Sequence, residues 1–154
     1  MPYALNFAHY LMINDVPLST PGWEQTNFYT LYSSANVRGE NRIMPGAVGI
    51  RALRRRPTET TRTVELVIFG DRSWDGSINA DPIAGLLANI NHLQANVVDP
   101  LATADSTRTA QLVHPDGNKA ATVQVLGFEI ASDSYGPAVV SASMDIAIIG
   151  GWFQ

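Results

Sequence analysis

Residues 63–69 read TVELVIF, and this stretch indicates which fold class the chain adopts. β-branched and aromatic residues, which favour strands, dominate it. Side chains alternate between the two faces of a strand, and here both faces are apolar: Val64, Leu66 and Ile68 on one, Val67 and Phe69 on the other. Such a strand is expected to be covered on both sides. Residues 50–62 are predicted to precede it in one long extended stretch, with Pro57 marking an edge or a bulge.

Short apolar stretches bounded by turn residues predict the other strands. They cover residues 5–13, 23–32, 107–114, 119–130 and 138–149. Only turns separate the last three, so the C-terminal half is predicted to be a three-strand meander. The sequence therefore predicts a mainly β fold with one helix, arranged as an antiparallel β-sandwich or open barrel of about seven strands.

The predicted helix begins at Asp81-Pro82, because aspartate is a preferred N-cap and proline a preferred first helical residue. Apolar residues then recur every three or four positions along a single stripe. The stripe is expected to pack on a sheet and consists of Ile83, Leu86, Leu87, Ile90, Leu93 and Val97. Asp99-Pro100 ends the helix. A charge on this stripe, as in Leu87→Asp or Ile90→Asp, is then expected to abolish folding.

A long stretch without apolar periodicity, SSANVRGENRIMPGAVG, covers residues 33–49. It holds three glycines, a proline and an alternation of arginine, glutamate and arginine. Compact domains rarely contain loops of this length unless the loop has a function, and nothing in this one has catalytic character. We therefore predict an assembly loop that contacts a neighbouring subunit or ring. Its predicted contact residues are Arg38, Glu40, Arg42, Ile43, Met44 and Pro45.

Composition limits the remaining possibilities. The 154 residues suffice for a single domain, 1–154, with its own core. Hydrophobic residues make up 45% of the chain and charged residues 16%, which describes a folded chain whose low charge density suits a surface covered by partners. No apolar run is long enough to span a membrane. With no cysteine, the chain forms neither disulfides nor thiolate metal sites.

The charges are unevenly distributed along the chain. Residues 1–63 hold seven arginines against four acids, a net charge of +3, whereas residues 64–154 hold three bases against ten acids, a net charge of −7. A basic half and an acidic half favour head-to-tail association of identical copies. Alternatively, the two halves interleave in the fold and the asymmetry vanishes.

Nine of the ten cations are arginine, which suits bidentate ion pairs at interfaces. The run Arg54-Arg55-Arg56 suggests nucleic-acid binding, but the chain is acidic, with a pI near 5.2, and no aromatic residues interleave with the run. Ion pairs with acids across strands or subunits are the better interpretation. The predicted participants are Arg51, Arg54, Arg55 and Arg56.

The string DRSWDGSIN at residues 71–79 partly matches a calcium loop. Asp71, Ser73, Asp75 and Gly76 fit its early ligand and turn positions, but Pro82 stands where a bidentate glutamate is needed. The alternative is a strand-to-helix connection with Asx turns and a glycine at positive φ. The histidines lack metal-ligand spacing, and no serine lies in a nucleophile elbow. We therefore predict no enzyme activity, no cofactor and no metal site.

Several strings resemble tail proteins of long-tailed (siphovirus-type) bacteriophages, most closely the small tail-tube and related ring-forming proteins of actinobacterial phages. They are LMINDVPLSTPGW at 11–23, VRGENRIMPGAVG at 37–49, VELVIFGD at 64–71, DPIAGLLANINHLQANVVDP at 81–100 and the glycine pair at 150–151. The resemblance covers most of the chain. Tail-tube proteins share their fold with the N-terminal ring domain of distal tail proteins. The lack of the additional C-terminal domain that distal tail proteins commonly carry favours the tube.

The resemblance implies a β-sandwich with a flanking helix, assembled into rings, expected to be hexameric, that stack into the tail tube. The loop at 33–49 resembles the one that reaches an adjacent ring or subunit. The lumen would be a barrel of about 24 strands, wide enough for an open channel through which DNA passes. An acidic wall would let DNA slide, and residues 64–154 carry the acids for one.

Further copies of the chain are the first implied partner. The tape-measure protein and phage DNA, bound without sequence specificity, would occupy the lumen, and other tail proteins would bind the tube ends. The implied location is the virion, after assembly in the host cytoplasm and without a membrane.

Two alternatives remain open. One is another ring protein of the tail end, a distal-tail or tail-terminator adaptor. The other, from a different class, is a calcium- or carbohydrate-binding β-sandwich module. Negative-stain microscopy separates the three, because they predict long tubes, isolated rings and monomers respectively.

Overall fold

The structure is a computed structural model that describes residues 3–33, 37–38, 42–43, 50–51, 56–57, 60–98, 107–136 and 138–154. Side chains are described for the same residues except those from 37 to 57 and those of 132–136.

The described residues form twelve strands. They are β1 Tyr10–Ile13, β2 Val16–Pro17, β3 Ser19–Thr20, β4 Trp23–Gln25, β5 Val37–Arg38, β6 Arg42–Ile43, β7 Ile50–Arg51, β8 Arg56–Pro57, β9 Thr60–Phe69, β10 Arg108–Val113, β11 Lys119–Gly136 and β12 Val139–Ile149. A 3₁₀ turn covers Phe28–Tyr32, α1 covers Pro82–Leu93, and a π-helical turn at Gln94–Val98 extends α1.

Eight of these strands form one antiparallel sheet in the order β2-β1-β10-β11-β12-β9-β4-β3. The predicted C-terminal meander, β10–β11–β12, is confirmed. β12 then pairs with β9 along its length, from Val139 opposite Phe69 to Ile148 opposite Thr60. The predicted fold class, mainly β with one helix, is therefore confirmed, with eight strands in the sheet where about seven were expected.

The sheet curls until its two edges meet at Leu18, the single residue between edge strands β2 and β3. The amide of Leu18 donates to the carbonyl oxygen of Leu11 at 2.8 Å, and its carbonyl accepts from the amide of Gln25 at 3.0 Å. One residue thus pairs with both sides of the sheet. Edge strands expose unpaired backbone groups, and joining the edges here gives the open-barrel form.

The curled sheet encloses one hydrophobic core. The TVELVIF stretch contributes Val64, Leu66 and Ile68, all at most 2% exposed, so its predicted inner face is confirmed. Its second face is only half-buried at Val67 and Phe69. The other side chains of this core cluster are Leu11, Ile13, Val16, Leu18, Trp23, Phe28, Leu31, Leu93, Val97, Ala110, Leu112, Val123, Ala142, Met144, Ile146, Ile148 and Phe153.

The strand predicted at residues 23–32 was wrong beyond Gln25, where a 3₁₀ turn follows. The cause is Asn27, whose side-chain oxygen accepts from the amide of Glu65 at 3.0 Å and whose side-chain nitrogen donates to the carbonyl of Thr63 at 2.8 Å. An asparagine side chain thereby replaces the backbone ladder. Phe28 and Leu31, three residues apart, then enter the core from one side of the turn.

Helix α1 begins where the sequence predicts. The Asp81 carboxylate accepts hydrogen bonds from the amides of Ile83 at 3.1 Å and Ala84 at 3.4 Å, which confirms it as the N-cap. The predicted apolar stripe was wrong at two positions. Leu93 and Val97 are buried and Leu86 and Ile90 are partly buried, but Ile83 is 62% exposed and Leu87 is 59% exposed.

The close approach of α1 to the end of β9 explains this rotation. A Cβ atom on Gly85 would lie 2.3 Å from the carbonyl oxygen of Gly70, and one on Gly70 would lie 2.0 Å from that of Pro82. Asn89 is buried beside this contact, and its side-chain nitrogen donates to the carbonyls of Phe69 at 2.6 Å and Arg72 at 2.9 Å. Gly85 and Asn89 therefore face inward, and Ile83 and Leu87 turn outward.

The segment predicted as a loop at 33–49 contains paired strands. β5 pairs with β8, and β6 pairs with β7, both antiparallel. This nested order is that of a β-hairpin, and we call β5, β6, β7 and β8 together the arm. β7 and β8 thus pair with strands of the preceding segment, where one extended stretch continuing into β9 was predicted, because the backbone groups of a strand need hydrogen-bond partners. Of the predicted contact residues, Glu40, Met44, Pro45, Arg54 and Arg55 lie outside the described residues.

Candidate assembly surfaces

The outer face of β9, β11 and β12 is acidic. In strands β9 to β12, the acids with described side chains, Glu65, Glu129 and Asp145, occupy outward positions and are exposed. The cations of these strands, Arg62, Arg108 and Lys119, share the alternation of the buried residues and belong to the opposite face. The charges are thus sorted by face. We call this surface the acidic face.

A shallow groove crosses the acidic face. Ser143 on β12 is paired with Glu65 on one side and Glu129 on the other, so the two glutamates flank a serine across three strands, about 10 Å apart. The groove has a volume of about 430 Å³. Thr26, Glu65, Leu66, Val67, Glu129, Ile130, Ala131, Ser141, Ala142 and Ser143 line it. The lining therefore combines two carboxylates with hydroxyl-bearing and apolar side chains.

One carboxylate of the acidic face accepts a hydrogen bond from a hydroxyl group. The hydroxyl of Thr63 donates to the Asp145 carboxylate at 2.8 Å. No ion pair joins Glu65, Glu129 or Asp145 to a cation in the described part of the chain. Unpaired surface carboxylates of one sign create a negative potential over the face.

A second surface lies at the end of β9 where the chain enters α1. Three large apolar side chains are exposed here: Ile78 at 76%, Ile83 at 62% and Leu87 at 59%. The exposed acids Asp71, Asp75 and Asp81 lie in the same segment. Helix α1 contains no lysine, arginine, aspartate or glutamate. We call these six residues the helix patch. The exposed Arg72 lies in the same segment, opposite Ile78. Exposed apolar side chains mixed with charged ones are typical of a protein interface.

In the string at residues 71–79, which partly matches a calcium loop, polar side chains hydrogen-bond within the segment itself. The Asp75 carboxylate accepts from the amide of Ser77 at 3.0 Å and from its hydroxyl at 2.6 Å, an Asx turn that holds the pKa of Asp75 below its usual value. The Ser73 hydroxyl donates to the Asn79 side-chain oxygen at 2.9 Å, and Gly76 has a φ of 90°. The alternative interpretation, a connection with Asx turns and a positive-φ glycine, is therefore the one seen. Within the described residues, no three His, Cys, Asp or Glu side chains are grouped to hold a metal.

The sequence did not predict an aromatic stack around His92. Its ring lies 3.9 Å from that of Trp74 and 5.8 Å from that of Trp23, both stacked. The Tyr3 hydroxyl lies 2.8 Å from Nε2 of His92. Burial lowers the pKa of His92. The stack ties the N-terminal segment and the 71–79 connection to α1, so His92 has a structural role.

The described arginines of the arm occupy opposed positions. Arg38 lies directly opposite Arg56, and Arg42 lies directly opposite Arg51. Among the predicted ion-pair and loop residues, the strand register therefore places these four backbone positions opposite one another in two pairs. Spacing along the sequence gave no sign of this pairing, because it depends on the register of the hairpin.

No helix in the described part of the chain is both long and apolar enough to cross a membrane.

No protein-family model matches this chain, and no curated protein sequence matches it. Its fold is similar to that of a chain in the structure of the phage P2 baseplate in its activated conformation with Ca, with a TM-score of 0.61 at 12% sequence identity. The matched region covers 95% of this chain and 45% of that chain, so this chain spans less than half of the baseplate chain's length. The two proteins share a fold across nearly all of the present chain.

Proposed function

We propose that this chain is a structural protein of a phage tail that acts by self-assembly. The observation that carries the proposal is the fold shared with a phage baseplate chain over 95% of the present chain. The string resemblances to tail-tube proteins support the same role. The protein then needs no catalytic centre, and its functional residues are those of its contact surfaces.

Within that role, we propose that the chain forms stacked rings, hexameric by the resemblance, that build the tail tube. The acidic face supports this assignment, because DNA is a polyanion that binds wherever basic side chains replace its counterions. A channel wall made of β9, β11 and β12 would present carboxylates and hydroxyls to DNA and keep arginine and lysine on the other face. DNA and the tape-measure protein would occupy the lumen without sequence-specific contacts. The assembled protein would reside in the virion after assembly in the host cytoplasm.

A ring adaptor at the tail end, of the distal-tail or terminator type, is the second candidate. The solved structure of similar fold is itself a baseplate component, and this chain corresponds to 45% of it. An adaptor would form a ring with two unlike partners and would not polymerise alone.

Negative-stain electron microscopy of the purified protein tests these proposals. Tubes of variable length support the tail-tube proposal, and discrete rings support the adaptor. A protein that stays monomeric at high concentration contradicts both and favours a calcium- or carbohydrate-binding module. For tubes, Glu65→Arg provides the test of the lumen: the tubes should persist but retain duplex DNA. Asp116→Arg makes the same change in charge at an exposed position off the acidic face and outside the helix patch, and it should not retain DNA.

A further inference from the structure

A small pocket lies between the N-terminal segment, strands β3 and β4, and the 3₁₀ turn. It has a volume of about 250 Å³, and we call it the aromatic pocket. Pockets for drug-sized ligands have volumes of about 300–1,000 Å³, so this one suits a single small group. The residues on which its chemistry depends are Phe7, His9, Ser19, Glu24, Gln25 and Tyr29.

Three aromatic rings lie side by side in this pocket. The ring of Phe7 stacks on that of His9 with centroids 5.4 Å apart, and the ring of Tyr29 lies 5.6 Å from that of His9. Phe7 is 47% exposed and Tyr29 is 60% exposed. An aromatic ring attracts a cation to its face. The protein already contains one such contact, since Nζ of Lys119 lies 5.5 Å from the ring centroid of Tyr32.

The described lining of the pocket includes a carboxylate but no lysine or arginine. The carboxylate belongs to Glu24, which is half-buried and lies directly opposite Ser19 in the pairing of β3 with β4. No cation of the described residues forms an ion pair with Glu24. A carboxylate among aromatic rings favours a positively charged ligand and disfavours an anion.

Two buried oxygen atoms of the lining residues have no hydrogen-bond partner among the described residues. They are Oγ of Ser19 and Oε1 of Gln25. The Gln25 amide is held in one orientation, because its nitrogen donates to the side-chain oxygen of Asn27 at 3.1 Å. Asn27 is itself oriented by the amide of Glu65 and the carbonyl of Thr63. A buried acceptor without a donor is unfavourable, so a ligand seated against Gln25 should supply N–H groups.

We propose that the aromatic pocket binds a guanidinium group, the head group of an arginine side chain from a partner protein. Glu24 supplies the opposite charge, Gln25 supplies a further acceptor, and Phe7 and Tyr29 supply aromatic surface. A guanidinium group is planar, carries five N–H donors and stacks on aromatic rings. These three properties match the three features of the pocket.

Other small groups fit the pocket less well. The ammonium group of lysine is compact and more strongly hydrated than a guanidinium group, so it is less suited to stacking. A neutral sugar would leave the carboxylate of Glu24 without an opposite charge. The inference goes beyond the proposed tail function and does not depend on the formation of tubes.

Saturation-transfer difference NMR on dilute unaltered protein tests the pocket. The probes are N-acetyl-arginine methylamide, agmatine, N-acetyl-lysine methylamide and methyl glucoside. The arginine probe and agmatine should both bind with a Kd on the order of 1 mM. The lysine probe should bind at least about threefold more weakly, and methyl glucoside should give no signal. Binding of agmatine without the arginine probe would assign the pocket to a free alkylguanidine and contradict a protein partner.

Two variants test the named groups. Glu24→Gln keeps the shape of the side chain and removes its charge, so it should raise the Kd of the arginine probe by about tenfold. Tyr29→Ala removes an exposed ring and should raise that Kd by about threefold. The matched controls, Glu129→Gln and Trp152→Ala, change an exposed carboxylate and a 42% exposed ring outside the pocket. Both should leave the Kd unchanged, and circular dichroism checks that each variant folds.

Each other outcome overturns the proposal. Absence of binding by the arginine probe contradicts it directly. Equal Kd values for the arginine and lysine probes would make the pocket a general cation site, and a signal from methyl glucoside would assign it to a sugar. An unaffected Kd in Glu24→Gln and Tyr29→Ala, or an equal loss in the controls, would place the probe elsewhere on the surface. The tail function stands or falls separately, on the microscopy of the purified protein.

Discussion

The side-chain nitrogen of Asn89 donates a 2.6 Å hydrogen bond to the carbonyl oxygen of Phe69, the last residue of β9. The same nitrogen reaches the carbonyl of Arg72 at 2.9 Å, so one buried amide satisfies two backbone groups where the chain leaves the sheet. Asn89 is fully buried, and its side-chain oxygen has no hydrogen-bond partner. This anchor sets the rotation of α1, and with it which side chains form the helix patch.

Asn89→Ala should destabilise the protein by roughly 1–3 kcal/mol, because it removes the buried amide that donates to the carbonyls of Phe69 and Arg72. Leu87→Ala, at a position that is 59% exposed, should change the free energy of unfolding by no more than about 0.5 kcal/mol. Urea unfolding of the monomer measures both. A larger loss for Leu87→Ala than for Asn89→Ala would mean that the helix packs through the stripe predicted from sequence.

Gly85→Ala should lower the free energy of unfolding, although alanine favours a helix more than glycine does. The added methyl group would lie 2.3 Å from both the Gly70 carbonyl oxygen and the Asn79 side-chain nitrogen, so the helix must move away from the strand end. A loss of about 1–3 kcal/mol is expected, as for an overpacked site. Gly127→Ala is the matched control, since nothing lies within 4 Å of its added Cβ atom. Equal melting temperatures for the two variants would contradict the close approach.

His92 should make stability depend on pH. Burial lowers its pKa in the folded protein below the value of about 6.5 expected in the unfolded chain. The unfolded state then binds more protons between the two pKa values, so the contribution of His92 is complete above about pH 6.5 and falls as pH drops through the folded-state pKa. His92→Phe should flatten the melting temperature between pH 8 and pH 5 relative to the unaltered protein. Parallel profiles would show that His92 is not responsible.

Calcium should not stabilise the protein. The Asp75 carboxylate already accepts two hydrogen bonds from Ser77, and Pro82 stands where a calcium loop needs its bidentate acid. A ligand that binds the folded state raises the melting temperature by mass action. Thermal unfolding in millimolar calcium and in chelator should therefore coincide. A rise of several degrees with calcium would restore the calcium-loop interpretation.

Removal of the arm should separate folding from assembly. Replacing residues 37–57 by a short Gly/Ser linker leaves the eight-stranded sheet and the core complete, because neither includes the arm. The variant should unfold cooperatively and sediment as a monomer or isolated ring. Long tubes from this variant would exclude the arm from end-to-end contact.

Local chemistry let the sequence predict much of the fold. The alternation of TVELVIF places Val64, Leu66 and Ile68 in the core, and Asp81-Pro82 starts α1, because side-chain alternation and helix capping depend on neighbours along the chain. The same local rules placed the C-terminal meander.

Tertiary structure alone decided the rest. Ile83 and Leu87 are as apolar as Leu93, yet they are exposed, since the Gly70–Gly85 approach and the Asn89 anchor set the rotation of α1. The closure of the sheet at Leu18, the row Glu65–Ser143–Glu129 and the opposed arginines of the arm all depend on strand register. Register brings together residues far apart in sequence, and a shift of one residue would send each side chain to the other face.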